Sequence, residues 1–328
     1  MTTHKALFIL LGILLILLMA TDIAIGSTYI PMPQIWAAMT GGDCPPSIAR
    51  IVINIRLIKA VVAILAGAAV SVSGLQMQTL FRNPLAGPYV LGISSGASLG
   101  VALFLLGAPL FGLSPTMSSL GIAGAAWIGS AAVLMIVGAV ASRIKDIMVI
   151  LILGMMFSSG ISAVVQILQY LSRDESLKAF VIWTMGSLGD VTASQLWILI
   201  PAVAAGILLA IITIKPLNLL LFGEEYARTM GLDIKRSRTL LFLSTTLLAG
   251  TVTAFCGPIG FIGLAMPHVT RMIFRTSDHR ILVPATLLTG SVVLLVCDII
   301  SKLLTLPINS ITALLGIPIV IFVVLRIK

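Results

Sequence analysis

The chain has 328 residues, of which 59% are hydrophobic and 9% are charged, and its mean hydropathy is +1.17. A soluble domain carries about 25% charged residues, and a soluble fold of this length could not hide so much apolar surface from water. The long unbroken apolar runs also exclude a membrane β-barrel, whose strands alternate apolar and polar residues. We therefore expect an all-α polytopic membrane protein, and we attribute the net charge of +9 to its cytoplasmic loops rather than to nucleic-acid binding.

Charge-free stretches predict the membrane helices, since a single span needs about 20 residues. The stretch 83–142 then holds two helices, joined by a hairpin near 107–115. The stretch 239–270 is broken by glycines and prolines, which predicts a full seventh helix followed by a short or re-entrant one. About ten membrane segments in one domain, 1–328, result from the stretches 6–21, 60–81, 83–142, 147–172, 191–214, 239–270, 281–297 and 303–325.

The first apolar stretch has features of a secretory signal peptide. His4 and Lys5 precede the apolar run, and small residues occupy 24–27. The apolar run continues past Asp22 through Ile25, which favours a retained helix.

Lysine and arginine favour the cytoplasmic side of a membrane protein, and their distribution predicts the orientation. With both termini in the cytoplasm, the inner loops carry Lys5, Arg82, Arg143, Lys145, Lys215, Arg228, Lys235, Arg236, Arg238, Arg271, Arg275, Arg280, Arg326 and Lys328, and the outer loops carry only Arg50, Arg56, Lys59, Arg173, Lys178 and Lys302. This bias also places 268–280 inside, so that 239–267 must leave and return to the same side.

Two segments rich in glycine and proline interrupt the apolar pattern, because neither residue continues a helix without cost. The first break, 82–97, contains Asn83, Pro84, Gly87 and Pro88, and the second, 257–268, contains Gly257, Pro258 and Gly260. The first break alone is equally compatible with a simple connecting loop. Breaks at membrane depth are tolerated where the backbone is buried in protein or lines a wet cavity. Paired breaks favour inverted five-helix repeats, with the breaks near opposite faces of the membrane.

The largest inner loop, about 215–238, contains a mixed-charge segment. Glu224, Glu225 and the run from Ala227 to Met230 suit a short amphipathic helix that ends at Gly231. Basic residues here also help to set topology, but a compact helix between two spans suits the docking of a cytosolic partner.

The outer cations Arg56, Lys59 and Lys302 run against the charge bias. Arg56 and Lys59 share a helical face at i, i+3 spacing. These side chains either reach towards lipid headgroups or form a docking site for an acidic periplasmic partner.

Taken together, these segments resemble the permease family that imports vitamin B12, haem and ferric siderophores, the BtuC/FecCD type. The resemblance covers roughly 50–325. The segments that carry it include Arg56-Leu-Ile-Lys59, Asn83-Pro-Leu-Ala-Gly-Pro88, Gly92-Ile-Ser-Ser-Gly-Ala97, Trp183-Thr-Met-Gly-Ser-Leu188, Gly257-Pro-Ile-Gly-Phe-Ile-Gly263 and Thr312-Ala-Leu-Leu-Gly-Ile-Pro318.

The resemblance implies a single permease domain in the bacterial inner membrane. Its expected partners are a second copy (a homodimer, or a paired homologue), two cytosolic ATP-binding-cassette subunits that hold ATP and Mg, a periplasmic binding protein and membrane lipid. No cofactor and no metal are expected on this chain, and no nucleic acid.

The resemblance also implies roles for particular residues. ATPase coupling falls to Gly223, Glu224, Glu225, Ala227, Arg228 and Gly231, and binding-protein docking falls to Arg56, Lys59 and Lys302. The translocation pathway follows 147–171 and 308–327 at the dimer interface, with Lys145, Met148, Ser158, Ser159, Ser162 and Thr312 as gate and lining residues.

Two departures from the family pattern affect the outer side. The family's Arg-Leu-Pro-Arg has Ile58 and Lys59 in its last two positions here, and lysine loses the bidentate geometry of arginine. The family's Glu-Leu-Pro-x-Gly begins with Thr305 and ends with Asn309. The details of the outer mouth before the last helix therefore stay open.

The implied mechanism is alternating access driven by a separate ATPase. No lysine in the chain is followed by serine or threonine, so a Walker A motif is absent. The main alternative is a proton- or sodium-driven secondary transporter, which needs ionisable residues within its spans. Asp22 and Asp298 approach that depth, but their positions near predicted outer ends favour an interfacial location. An enzyme is not expected, since the histidines His4, His268 and His279 are scattered. Which chelate is carried stays open.

Overall fold

The computed structural model describes residues 2–26, 28–108, 119–141, 144 and 146–326, and every regular element within them is helical. The predicted all-α fold is confirmed over these ranges. In chain order the helices are α1 (Thr2–Ala24), α2 (Met32–Thr40), α3 (Pro46–Arg50), α4 (Ile58–Leu80), α5 (Ile93–Ala102), α6 (Ser119–Ala141), α7 (Ile147–Leu171), α8 (Asp174–Thr184), α9 (Ala193–Ile212), α10 (Ile214–Leu220), α11 (Glu224–Thr229), α12 (Ile234–Thr245), α13 (Thr251–Cys256), α14 (Ile262–Phe274), α15 (His279–Leu304) and α16 (Ile308–Arg326).

Seven helical segments in the described ranges are long and apolar enough to cross a membrane. They are His4–Ala24, Pro46–Leu80, Ser119–Val140, Ile147–Leu171, Ala193–Ile212, Ile234–Cys256 and His279–Leu304. Two shorter apolar helices, Ile93–Gly107 and Ile308–Val323, accompany them. The short helix expected after the second break is α14. These segments match the predicted ones in order, whereas the crossing of a bilayer by all ten stays a prediction. Most of the expected hairpin near 107–115 lies outside the described residues.

The second span begins much earlier than the prediction of 60–81. The helical segment Pro46–Leu80 is continuous, with a π-helical stretch at Ile51–Leu57 joining α3 to α4. The predicted span began after Lys59, because spans were predicted from charge-free stretches and both Arg56 and Lys59 are charged. Both side chains find acceptors inside the fold, so charge does not end the helix here.

The centre of the bundle is α4, whose residues are almost all buried. A helix that is apolar on every face requires neighbours on every side. Glycines allow two of these neighbours to approach closely. A Cβ at Gly67 would overlap the carbonyl oxygen of Gly290 on α15, and a Cβ at Gly74 would overlap that of Gly263 on α14. Small residues at helix crossings allow the close backbone contact that drives packing in lipid.

The first helix packs within the bundle. Leu11 joins a cluster with Phe274 of α14 and with Ala285 and Val292 of α15. The ring of His4 stacks on Phe274, with centroids 5.9 Å apart. The amino end of α1 therefore lies beside the carboxyl end of α14, where the inner loops were predicted.

The two breaks meet inside the bundle. His268 Nε2 lies 2.7 Å from the carbonyl oxygen of Pro84. Further along, Tyr89 donates a hydrogen bond to the carbonyl of Ile259 at 3.1 Å. Since later residues of one segment meet earlier residues of the other, the first break runs antiparallel to the second break and α14. The two breaks therefore pack side by side, and their placement near opposite faces of the membrane stays a prediction.

Specific backbone contacts stabilise both breaks. Asn83 Oδ1 accepts a hydrogen bond from the Leu85 amide at 2.9 Å, which closes the turn around Pro84. Gly257 has a φ of +73°, and a Cβ there would lie 2.5 Å from the Trp183 carbonyl oxygen. This packing agrees with the rule that irregular backbone at membrane depth is buried in protein.

Candidate functional site

The predicted short helix of the inner loop is present as α11. Gly223 precedes it with a φ of +101°, and Gly231 follows it with a φ of +81°. The amide of Leu232 returns to the carbonyl of Ala227 at 3.0 Å, which satisfies the end of the helix. The Ala227 side chain is fully buried and anchors α11 against the bundle.

A bidentate ion pair holds α11 in place. The Arg238 guanidinium lies 2.6 and 2.7 Å from the two carboxylate oxygens of Glu224. Arg238 also donates to the carbonyl oxygen of Ile144 at 3.2 Å. Since Arg238 belongs to α12 and Ile144 precedes α7, one side chain joins three elements. Charge-assisted bidentate pairs impose geometry as well as energy. Glu224 thus positions the helix rather than projecting to a partner.

An exposed apolar stripe lies on α11 and on the residues that flank it. Its members Phe222, Tyr226 and Met230 are 69%, 51% and 59% exposed; Tyr226 belongs to α11, Phe222 precedes the helix and Met230 follows it. The rings of Phe222 and Tyr226 are 5.5 Å apart between centroids. Sequence reasoning concentrated on the charges here and missed this stripe, since only Tyr226 lies in the helix and the stripe has no helical period. Exposed apolar groups on a polar loop suit contact with a partner protein.

Behind α11, hydrogen bonds connect the inner loop to the central helices. Asn218 of α10 donates to Asp278 Oδ1 at 2.7 Å and accepts from the His279 amide at 2.9 Å. The His279 ring lies 2.9 Å from Thr79 Oγ1 at the end of α4. Hydrogen bonds from the Arg280 amide and from Asn218 hold the pKa of Asp278 below its ordinary value. A displacement of α10 and α11 would therefore reach α4 and α15 directly.

A four-residue ionic cluster occupies the other end of the bundle. Lys302 Nζ lies 2.7 Å from Asp22 Oδ2 and 3.0 Å from Asp298 Oδ2, and Lys59 Nζ lies 3.0 Å from Asp298 Oδ1. Asp22 and Asp298 are fully buried against neighbouring helices, and their interfacial depth in the membrane stays a prediction. Burial of a carboxylate requires a paired cation, and both lysines supply one.

Arg56, the third predicted docking cation, caps the carboxyl end of α1. Its guanidinium donates to the carbonyl oxygens of Ile23 at 3.0 Å, Ala24 at 2.8 Å and Thr28. These acceptors include terminal carbonyls that lack partners within a helix and carry its negative dipole end. Arg56 is 4% exposed, so its side chain is committed to the fold. Lys59, with 21% of its side chain exposed, is the most accessible of the three predicted docking residues.

The predicted pathway residues do not all face the same way. Met148 is 42% exposed on α7, and Ser159 and Ser162 are also exposed. Ser158 is partly buried and its hydroxyl donates to the Gly154 carbonyl at 2.9 Å. Thr312 is completely buried and donates to the Asn309 carbonyl at 3.0 Å, so it lines no opening in this conformation. Lys145 lies outside the described residues.

A polar cleft of about 270 Å³ opens beside Ser162. Gln166 and Gln169 of α7 line it, as does Thr184 of α8. The opposite wall is a row of hydroxyls on α5, formed by Ser94, Ser95 and Ser98. None of the described residues around this cleft is charged. Ser94 and Ser95 belong to the motif 92–97, which sequence reasoning identified but did not place on a pathway, and Ser98 follows it directly.

Two helices, α7 beside the cleft and α16, present exposed apolar surface. On α7, Met156, Ile167 and Tyr170 are 65%, 60% and 90% exposed, and on α16 Leu314 and Leu325 are 67% and 69% exposed. Such faces are covered by lipid or by another protein surface.

At the start of α16, Asn309 replaces the glycine of the family pattern, and its side chain makes a hydrogen bond. Its Oδ1 accepts a hydrogen bond from the backbone amide of Gly260 at 3.0 Å. The backbone amide of Asn309 donates to the carbonyl oxygen of Met185 at 3.3 Å. Thr305, which replaces the family's acid, ends α15 with a φ of +54°. The substituted segment thus joins the second break to α16.

Comparisons with known proteins agree with this architecture. The family model described as the FecCD transport family matches residues 13–326. The hemin transport system permease protein HmuU of Yersinia pestis is 34% identical over 326 residues, which cover 97% of this chain and 96% of that protein. The vitamin B12 import system permease protein BtuC of Klebsiella pneumoniae is 37% identical over 321 residues, covering 96% of this chain and 92% of that protein.

One solved structure matches nearly the full length. It is an inward-facing conformation of a transporter described as a metal-chelate type ABC transporter, with a TM-score of 0.85 and 27% identity, and the match covers 98% of this chain and 99% of that chain. The chain therefore belongs to the FecCD transport family, as the resemblance of its motifs predicted.

Proposed function

We propose that this chain is the membrane subunit of an ATP-binding-cassette importer, and that it moves a metal chelate by alternating access. Its relatives include permeases named for hemin and for vitamin B12, so the cargo class is a bulky chelate such as haem, cobalamin or a ferric siderophore. Two separate ATPase subunits supply the energy.

The observation that carries this proposal is the construction of α11. The ion pair between Glu224 and Arg238 fixes its orientation, and the stripe of Phe222, Tyr226 and Met230 stays exposed. A rigidly held helix with an exposed apolar stripe suits a partner that must pull or push on it. We assign the stripe to the contact with the ATPase, beside the charged residues Glu225 and Arg228.

The network behind α11 supports transmission of that movement. Asn218 and His279 connect α10 to the start of α15, and Thr79 connects them to α4. Since α4 contacts α14 through Gly74, the irregular segment beside α14 responds to the same displacement. The gate is expected near Met148 and the neighbouring Lys145.

The polar cleft between α5 and α7 supports a pathway there. Its hydroxyl and amide groups offer hydrogen bonds without a fixed charge, which suits a cargo that must bind weakly and leave again. A second copy of the chain, seated against the exposed faces of α7 and α16, would enclose this cleft. The subunit would then have ten membrane helices in inverted repeats, with both termini in the cytoplasm.

Docking of a periplasmic binding protein is assigned to the end of the bundle that carries the ionic cluster. Lys59 is the member that an acidic partner can reach. Arg56 and Lys302 act there by holding α1 and α15 in position.

The secondary-transporter alternative has one observation in its favour, the burial of Asp22 and Asp298. Both carboxylates are paired with lysine, and neither belongs to the lining of the polar cleft. The separation of both carboxylates from the cleft favours an ATP-driven transporter over a proton- or sodium-driven one.

Purification of the chain with the products of its genomic neighbours tests the proposal. We expect a cytosolic ATPase to co-purify and its turnover in proteoliposomes to rise with a chelate-loaded binding protein. A chain that purifies without an ATPase, and that moves solute only under a proton or sodium gradient, would replace this proposal with the alternative.

A further inference from the structure

A groove of about 400 Å³ lies between α6 and α12, next to α11. Leu134, Met135 and Gly138 of α6 form one apolar side, and Phe242 and Leu243 of α12 form the other. The remaining described residues around it include three cations, namely Arg228, Lys235 and Arg238. The apolar groove therefore ends at a cluster of positive charge.

Only part of this charge is neutralised within the fold. Arg238 is paired with Glu224. Arg228 and Lys235 are exposed, and neither has an ion-pair partner among the residues that the structure describes. Two cations at the mouth of the groove thus stay available for an external anion.

The apolar part of the groove opens towards the membrane. Met135 is 68% exposed and Leu243 is 44% exposed, and both belong to segments apolar enough to span a bilayer. Side chains so exposed in such segments are covered by lipid or by another protein surface, and since the second copy is assigned to α7 and α16, we assign this face to lipid. The cations mark the level where the bilayer meets water, since the neighbouring loop carries the predicted cytoplasmic charges.

We propose that this groove binds an anionic phospholipid, with an acyl chain between α6 and α12 and the phosphate at Arg228 and Lys235. Apolar surface and positive charge are adjacent here, and an anionic lipid satisfies both at once. A water-soluble anion would leave the apolar part of the groove empty, and a neutral lipid would leave the cations without a counter-charge. The site is independent of the transported cargo.

The position of Arg228 gives the lipid a consequence. Arg228 belongs to α11, whereas the acyl chain contacts α6 and α12. The bound lipid therefore joins the coupling segment to two membrane helices. The exposed stripe of Phe222, Tyr226 and Met230 does not line the groove, so a bound lipid leaves the stripe open to the ATPase, with Arg228 between the two surfaces.

Glycines provide a matched pair of variants. A Cβ at Gly138 meets nothing within 4 Å, and neither does one at Gly124 on the same helix. Gly138→Leu places a leucine side chain in the groove at a position where its Cβ meets no atom, whereas Gly124→Leu adds the same side chain outside the groove. Lys235→Gln removes one cation from the mouth, and Arg236→Gln removes the exposed neighbouring cation that does not line the groove.

The experiment measures retained phospholipid by native mass spectrometry on the full chain, purified in detergent and offered equal dioleoyl-phosphatidylglycerol and dioleoyl-phosphatidylcholine. We expect preferential retention of phosphatidylglycerol, roughly five-fold weaker in Lys235→Gln and abolished in Gly138→Leu. Arg236→Gln and Gly124→Leu should retain it as the wild type does. Thermal unfolding of each variant establishes that it is folded.

Three results would overturn the proposal. Equal retention of the two lipids would remove the role of the charge, and unchanged retention in both Gly138→Leu and Lys235→Gln would place the lipid elsewhere. Displacement of phosphatidylglycerol by the purified ATPase would make the groove a protein contact. Competition by free glycerol phosphate at the same concentration as lipid would show that the headgroup binds without the acyl chain.

Discussion

Lys302 and Asp22 form an ion pair at 2.7 Å although 280 residues separate them in the sequence. Lys302 lies near the end of α15 and Asp22 near the end of α1, so this contact fixes the first helix to the core of the bundle. Asp298, one turn before Lys302, shares the same ammonium at 3.0 Å.

Replacement of Lys302 by methionine should destabilise the protein strongly. The change keeps the length of the side chain but leaves two buried carboxylates with only Lys59 as a cation. Removal of one partner from a buried ion pair costs on the order of 3–5 kcal/mol. Thermal unfolding in detergent measures the loss. Lys178→Met, at an exposed position, is the matched control, and equal stabilities of the two variants would show that the cluster contributes nothing.

The crossing of α4 and α14 depends on the absence of a side chain at Gly74. Alanine there would place its Cβ against the backbone carbonyl of Gly263, which cannot turn aside as a flexible side chain can. We expect Gly74→Ala to lower the free energy of unfolding by at least the roughly 1–3 kcal/mol that is typical of overpacking. We also expect the variant to accumulate poorly. Gly12→Ala, where a Cβ meets nothing within 4 Å, should behave as the wild type. Normal yield and melting temperature of Gly74→Ala would refute the close crossing.

Glu224→Gln should separate ATP hydrolysis from transport. The substitution keeps the shape of the side chain but weakens the bidentate pair with Arg238, so α11 loses its fixed orientation. We expect chelate uptake per ATP hydrolysed to fall, while the binding protein still docks. Glu225→Gln, next to it and without an ion pair in the described residues, should have a smaller effect. Equal coupling in the two variants would show that the pair with Arg238 does not position α11.

Tyr226→Ala should weaken association with the ATPase. Tyr226 is the middle residue of the exposed stripe, and aromatic side chains at the centre of an interface often contribute about 2 kcal/mol, or roughly 30-fold in affinity. Thr229→Ala, off the stripe on the same helix, serves as the control. Surface plasmon resonance with the purified ATPase measures both. An unchanged affinity for Tyr226→Ala would move the ATPase contact away from this stripe.

Charge reversal at Lys59 tests the docking surface. Lys59→Glu should weaken binding-protein docking, and the difference should be larger at low salt because exposed charges are screened within about 8 Å at physiological ionic strength. Arg56 and Lys302 are poor choices for this test, since both hold the fold together. Thermal unfolding of Lys59→Glu provides the control, because Lys59 also contacts Asp298. Unchanged docking of a folded variant, at every salt concentration, would place the partner elsewhere.

Composition and charge-free runs were sufficient to predict the helical fold and most of the span order. The predicted span boundaries were wrong where charged side chains lie inside the protein. Arg56 and Lys59 lie within a continuous helix, because backbone carbonyls and Asp298 accept their hydrogen bonds. A single sequence does not reveal these partners, since Ile23 and Asp298 are distant in the chain.

The inner loop was predicted well because its signals are local. Gly223 and Gly231 delimit α11, and both have the positive φ that favours glycine. The pairing of Glu224 with Arg238 was missed, since it depends on the fold of the loop back onto α12. Thr312 was misplaced for a similar reason: the direction of a threonine on an apolar helix depends on how that helix is packed.

ATP-driven import of a metal chelate is tested most directly by uptake of a labelled chelate into proteoliposomes that contain this chain, its ATPase and its binding protein. We predict uptake of haem, cobalamin or a ferric siderophore that requires ATP on the ATPase side and persists when proton and sodium gradients are collapsed. Uptake that continues without ATP and stops when those gradients are removed would contradict it.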